Sequence, residues 1–178
     1  LTDAECSRAE RYVFAANRDE CVLGRAMLRL VLARHLDVSP RAIAFRLGPF
    51  GKPELAGEPS RPPVYFNVSH SAGLVVAAFS LMGEVGVDVE DTERPISPAV
   101  QRQVFTPEER QSWESLPPDE QGRGVAARWT LKEAYLKARG AGLNLPLLGF
   151  AFDESSGEPR IRFSPTIDDD PARWRFYQ

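Results

Sequence analysis

Residues Trp129-Thr130-Leu131-Lys132-Glu133-Ala134-Tyr135-Leu136-Lys137 set one carboxylate between two ammonium groups, beside an aromatic ring. Side chains three and four apart share a helix face. Read as a helix, the run turns Leu131, Ala134, Tyr135 and Ala138 toward a core. Trp129, Lys132, Glu133, Leu136 and Lys137 fall on the other side. That second face suits a site that handles phosphate and a proton. It has a plainer meaning too. Glu133 and Lys137 form an i,i+4 pair of the kind found on solvated helices, contributing about 0.2–0.5 kcal/mol.

Three other groups could join it. Asp88 and Glu90 are two apart in a strand-like run, so both side chains leave one face. Adjacent carboxylates repel unless a cation lies between them, and Mg²⁺ prefers carboxylate oxygen and substrate phosphate. An acidic strand end, continued by Asp91 and Glu93, explains the pair equally well. Ser69-His70-Ser71 reads as part of a hairpin corner. There His70 could donate to a phosphate, or the serines could merely close the turn. Gly51-Lys52-Pro53 puts a lysine on a stiffened loop, suited to an anion or simply to solvent. It lacks the glycine and Lys-Ser/Thr spacing of a P-loop.

These residues need elements to hold them. Residues 3–17 read as a polar helix with Arg8 and Arg11 on one side. Residues 19–35 carry Val22, Leu23, Ala26, Met27, Leu30 and Val31 at helical spacing. A strand is expected over 43–47 and a loop over 48–63, from its glycines and prolines. Strands follow over 64–68 and 74–81 around a turn at 69–73. Residues 82–84 mark the boundary between an N-terminal lobe, residues 1–83, and a C-terminal lobe, residues 84–178. A strand over 85–90 leads to a loop through Pro98 and a helix to Phe105. Thr106 caps the next helix, with Glu109 at the capping-box position. Pro117-Pro118 ends that region, and a helix over 121–139 stops at Gly140. Residues 150–153, 160–163 and 173–177 read as antiparallel strands. Helix followed by strands, twice over, makes the fold class α+β.

Composition narrows the function. The chain has 178 residues and a formal net charge of −3, with a pI near 5.5. General nucleic-acid binding, which needs a basic surface, is excluded. No apolar run approaches the roughly 18–20 residues of a membrane span, and the first residues lack the basic, apolar and small-residue order of a signal peptide. Cys6 and Cys21 read as reduced thiols of a cytoplasmic protein. With only His35 and His70 as histidines, a His/Cys zinc site does not fit. The chain opens without methionine and stops in a strand-like run, so it reads as part of a longer protein, trimmed at both ends.

Taken in order, Gly51-Lys52-Pro53, Phe66-Asn67-Val68-Ser69-His70-Ser71, Gly86-Val87-Asp88-Val89-Glu90 and the run from Trp129 to Lys137 closely resemble the signature set of the Sfp-type 4′-phosphopantetheinyl transferases. Phe105-Thr106-Pro107-Glu108-Glu109 and Gly140-Ala141-Gly142-Leu143 are similar to flanking segments of that family. The resemblance implies two pseudo-twofold-related lobes with coenzyme A in the cleft between them. It implies transfer of the 4′-phosphopantetheine arm to a serine of an apo acyl, peptidyl or aryl carrier protein, releasing adenosine 3′,5′-bisphosphate.

Carried over by position, Asp88, Glu90 and Glu133 would hold Mg²⁺, with Mn²⁺ as the alternative. Arg8, Lys52, Pro53, Ser69, His70, Lys132 and Lys137 would bind coenzyme A. Glu133 would take the serine proton, while Lys137 and His70 attend the phosphates. Where the family usually has a second basic residue, three positions before Arg8, this chain has Glu5. That departure bears on the grip on the 3′-phosphate. Phe105, Arg102 and Trp113 are the expected carrier contacts, and a monomer is expected. Two other readings use the same residues: a Mg²⁺-dependent phosphodiesterase, and a coenzyme A-binding module that docks carriers without turnover.

Overall fold

The computed structural model describes residues 1–57, 63–93, 97–154 and 157–178. Residues 58–62 and 94–96, inside two of the expected loops, lie outside the described residues. Helix α1, Asp3–Ala9, opens on a capping box in which Thr2 and Glu5 satisfy each other's backbone N–H groups. It is shorter than the 3–17 span expected. Ala15 and Ala16, strong helix formers, belong instead to α2, Ala15–Leu36.

The buried face of α2 is not the one the apolar spacing marks. Glu20, Gly24, Leu28, Arg29, Leu32 and Ala33 face inward, whereas Val22, Leu23, Leu30 and Val31 are exposed. Two interactions account for the rotation. Gly24 lets the helix close on the sheet, since a Cβ there would stand 3.3 Å from Val68 Cγ2. Arg29 is buried because each of its three guanidinium nitrogens is bonded, Nε and Nη2 to Glu5 and Nη1 to the carbonyls of Pro40 and Ile43.

Strands β1, Phe45–Leu47, and β2, Pro53–Leu55, form an antiparallel pair where a continuous loop was expected after residue 47. Strands β3, Tyr65–Ser71, and β4, Leu74–Ser80, pair from Tyr65↔Ser80 to Ser71↔Leu74. Ser69, His70 and Ser71 are therefore ladder residues, and the turn is Ala72-Gly73 alone. Leu28, Leu32, Ile43 and Phe66 form the core beneath these strands.

In the second half, α3, Pro98–Val104, leads to α4, Pro107–Glu114, whose N-terminus carries the expected Thr106–Glu109 capping box. Helix α5, Pro118–Arg139, starts at the second proline, which suits a first helical turn, and ends at Gly140 in the left-handed region (φ 59°). Strands β5, Phe150–Asp153, and β6, Arg160–Phe163, pair antiparallel over Leu131, Tyr135 and Leu136. Residues 85–90 run without ladder partners among the described residues, and 174–178 follow a short 3₁₀ turn rather than forming a strand. The tail is held by side chains instead. Asp169 accepts hydrogen bonds from Tyr135 Oη (2.8 Å) and Trp174 Nε1 (3.0 Å), and pairs with Arg139. The architecture is α+β, as expected.

Candidate active site

Alternate residues of β3 tie down the segment that follows β4. Asn67 Oδ1 accepts from the Val87 N–H (3.0 Å), Ser69 Oγ donates to Asp88 Oδ1 (2.8 Å), and Ser71 Oγ donates to Glu90 Oε2 (3.4 Å). Period-two geometry sends these three side chains to one face of the strand, so a stretch lacking ladder bonds still gains a register. Its other side lies on α5. A Cβ on Gly86 would stand 1.9 Å from the Ala134 carbonyl oxygen and 2.5 Å from the Ala138 nitrogen, so only glycine admits that approach.

Helix α5 then supplies Trp129, Glu133 and Lys137, four residues apart on one face. Trp129 Nε1 donates to Glu90 Oε1 (3.1 Å). Lys137 Nζ donates to Asp88 Oδ1 (2.5 Å) and Ser69 Oγ (2.8 Å). Asp88 Oδ2 is buried with no hydrogen-bond partner. Burial pushes the Glu133 carboxyl up, Asp88 and Glu90 add to the rise, and Lys137 opposes it. Asp88, Glu90, Trp129, Glu133, Lys137, Ser69 and His70 line one cavity of about 250 Å³. A second of about 250 Å³ shares Glu133 and Lys137 and continues past Lys52 and Pro53.

Several expected site residues stand elsewhere. Lys132 is fully buried, its Nζ 2.8 Å from Glu109 Oε2 and bonded to the carbonyls of Leu147 and Phe150. Burial pushes its ammonium down and Glu109 pulls it back up. It anchors α5 to β5 and cannot reach a ligand in the cleft. Leu136 is likewise core, although it edges the second cavity. Lys52 does line that cavity, but its Nζ is directed at Glu84 Oε2 (2.5 Å), Ala138 O (2.8 Å) and Val85 O (3.5 Å). Carbonyls at the end of a helix attract a cation, so Lys52 ties the β1–β2 loop to α5.

Arg8 is exposed on α1 and lines neither cavity. Glu5 is clamped by Arg29 (2.9 Å) and Arg25 (3.6 Å). Phe105, an expected carrier contact, is core: it is 3% exposed and stacks on half-buried Trp113 at 5.2 Å; Arg102 is exposed. Pattern reading missed Asn67, Glu109 and Glu20 as working residues. Glu20, on α2, lies 2.8 Å from His70 Nδ1. No local pattern marked it, because Glu20 lies off the helix face on which the apolar residues recur.

Among the described residues, no three His, Cys, Asp or Glu side chains come together as a metal site. An open set fits Mg²⁺, which takes one or two carboxylates and completes its shell with water and substrate oxygen. The partnerless Asp88 Oδ2 and the crowded Glu133 carboxyl are the atoms such an ion would satisfy. No helix among the described residues is long and apolar enough to cross a membrane.

Fold and site together define an α+β protein that gathers the carboxylates of Asp88, Glu90 and Glu133 and the ammonium of Lys137 around one cavity. Residues 84–178 match the family described as the 4′-phosphopantetheinyl transferase superfamily, and residues 1–81 match that described as 4′-phosphopantetheinyl transferase, N-terminal. The chain belongs to the 4′-phosphopantetheinyl transferase superfamily. It is similar to a putative 4′-phosphopantetheinyl transferase of Synechocystis sp., with 37% identity over 145 residues, 81% of this chain and 58% of the relative. It resembles the 4′-phosphopantetheinyl transferase HetI of Nostoc sp., 37% identical over 80% of this chain and 61% of the relative. The 4′-phosphopantetheinyl transferase ffp of Bacillus subtilis is 31% identical over 85% of this chain and 70% of its own. The chain thus spans about three fifths of the length of the first two relatives.

Proposed function

We propose that this protein transfers the 4′-phosphopantetheine arm of coenzyme A to a serine of an apo acyl, peptidyl or aryl carrier protein, with release of adenosine 3′,5′-bisphosphate. The supporting observation is the carboxylate–lysine cluster of Asp88, Glu90, Glu133 and Lys137 with its buried, partnerless Asp88 Oδ2. Two pseudo-twofold lobes, residues 1–83 and 84–178, would flank the cleft. Each half contributes one 22-residue helix, α2 and α5.

Asp88, Glu90 and Glu133 would hold Mg²⁺ or Mn²⁺. Such an ion, when bound, would neutralise charge on the pyrophosphate. The chain's own residues supply the rest. Lys137 balances charge on the phosphates once substrate replaces its present partners. Glu133, raised by burial and by its acidic neighbours, takes the proton of the carrier serine. The serine oxygen bonds to phosphorus as the bond to the nucleotide oxygen breaks, and the electron pair leaves with the bisphosphate. Ser69 keeps Asp88 in place. Phosphate contact by Lys52 would require release from Glu84. The protein would act as a monomer in the cytoplasm, where the free thiols Cys6 and Cys21 stay reduced.

Incubation with coenzyme A, Mg²⁺ and an apo carrier, read by intact mass, tests the proposal. A carrier mass gain equal to the arm supports it. Coenzyme A cleavage without that gain would indicate a phosphodiesterase, and binding without either product a docking module.

A further inference from the structure

Glu20 is a carboxylate on the buried face of α2, its side chain 10% exposed. Both of its oxygens are used. Oε1 accepts from the Gly73 N–H at 2.6 Å, and Oε2 lies 2.8 Å from His70 Nδ1. A carboxylate has no proton to give, so Nδ1 carries it and donates. Burying a charge is costly unless it is hydrogen-bonded, and here the cost is offset by one backbone bond and one ring. The Gly73 bond also pins the turn two residues beyond His70, where Ala72 and Gly73 both have positive φ (50° and 82°). Ring and turn are held from one helix.

With Nδ1 engaged, Nε2 is the nitrogen left for the cavity that His70 lines beside Asp88, Glu133 and Lys137. We propose that Glu20 is the positioning residue for His70, aiming Nε2 at a phosphate oxygen of the bound nucleotide. This rests on the transferase reading above. A phosphate oxygen at Nε2 needs a proton there, so the ring bridging Glu20 and substrate is the imidazolium, donating from both nitrogens. Glu20 touches no substrate. It acts through the ring.

Glu20→Gln separates this role from a structural one. The amide can still accept from Gly73, but it can offer His70 either that oxygen or a donor, not a second acceptor. In the full chain, Glu20→Gln and His70→Ala should each weaken coenzyme A binding roughly tenfold, as for a lost hydrogen bond to a charged group. The double variant should lose no more than either single one, and KM for coenzyme A should rise more than kcat falls. Additive losses overturn the proposal, as does wild-type affinity in Glu20→Gln. If wild-type protein transfers the arm while either result holds, only this inference fails; absence of transfer and of binding in the wild type removes the transferase reading with it. Should the variant not fold, ¹⁵N shifts of the wild-type ring decide. A proton on Nδ1 with Nε2 moving on coenzyme A addition is expected. A ring protonated on Nε2 alone and unmoved by coenzyme A overturns the assignment.

Discussion

The Lys137 ammonium lies 2.5 Å from Asp88 Oδ1, 49 residues away in sequence, and that carboxylate is its partner among the described ion pairs. The i,i+4 neighbour Glu133 feels the positive charge, yet its carboxyl remains raised because burial and two other acids outweigh it. A helix pair that would be neutralised on a solvated surface is thus split. The cation serves one wall of the cavity, and the acid stays available to accept a proton.

Glu133→Gln tests that availability. Coenzyme A binding by calorimetry should stay near wild type, while turnover falls by about 10²–10⁴, the range for a lost general base. In the metal-free wild type, the Glu133 carboxyl followed by NMR should titrate above the ordinary value of 4.5, since burial and its acidic neighbours raise it. Full turnover in the variant would remove Glu133 from this role.

Lys132→Met separates core from cleft. It removes the nearer of two cations that compensate buried Glu109, Arg128 being the other, so denaturant unfolding should show a loss of up to about 3–5 kcal/mol, the range for a broken buried pair. Coenzyme A affinity per folded molecule should be unchanged. A tenfold weaker affinity with normal stability would restore Lys132 to the phosphates.

Gly86→Ala places a methyl on the backbone of α5 at Ala134. The segment carrying Asp88 must then move off the helix. Metal titration should weaken or vanish and hydrogen exchange at Val87 should speed up, because its bond to Asn67 depends on that approach. An unchanged exchange rate would contradict the packing described.

Asp169 links tail stability to pH. Burial pushes its carboxyl up, but bonds from Tyr135 and Arg139, the Asp170 N–H and the charge of Arg139 outweigh it, so the group sits below its ordinary 3.8. A depressed carboxyl contributes stability that is full above the unfolded value and is lost as pH falls through the folded one. Asp169→Asn should therefore melt below wild type at neutral pH, and the gap should narrow as pH drops below 3.8. A gap constant with pH would mean that charge is not the cause.

Residue types and local spacing carried much of this protein. The Thr106–Glu109 box, the stop at Gly140 and the β5–β6 pair follow from capping chemistry and period-two patterns, which act over a few residues. The order of the motifs, ending in Asp88, Glu90, Glu133 and Lys137, marked out the family and the carboxylate–lysine set. What the chain order could not show is which polar side chains are spent on the fold. Lys132 and Lys137 are both lysines on one helix, five residues apart, yet one is closed into the core by Glu109 and the other opens onto Asp88. Glu20 and Arg29 look like surface charges and are buried, because their partners His70, Gly73 and Glu5 arrive from other elements. Burial of a charge depends on whether a distant partner satisfies it, and only the tertiary structure supplies that partner.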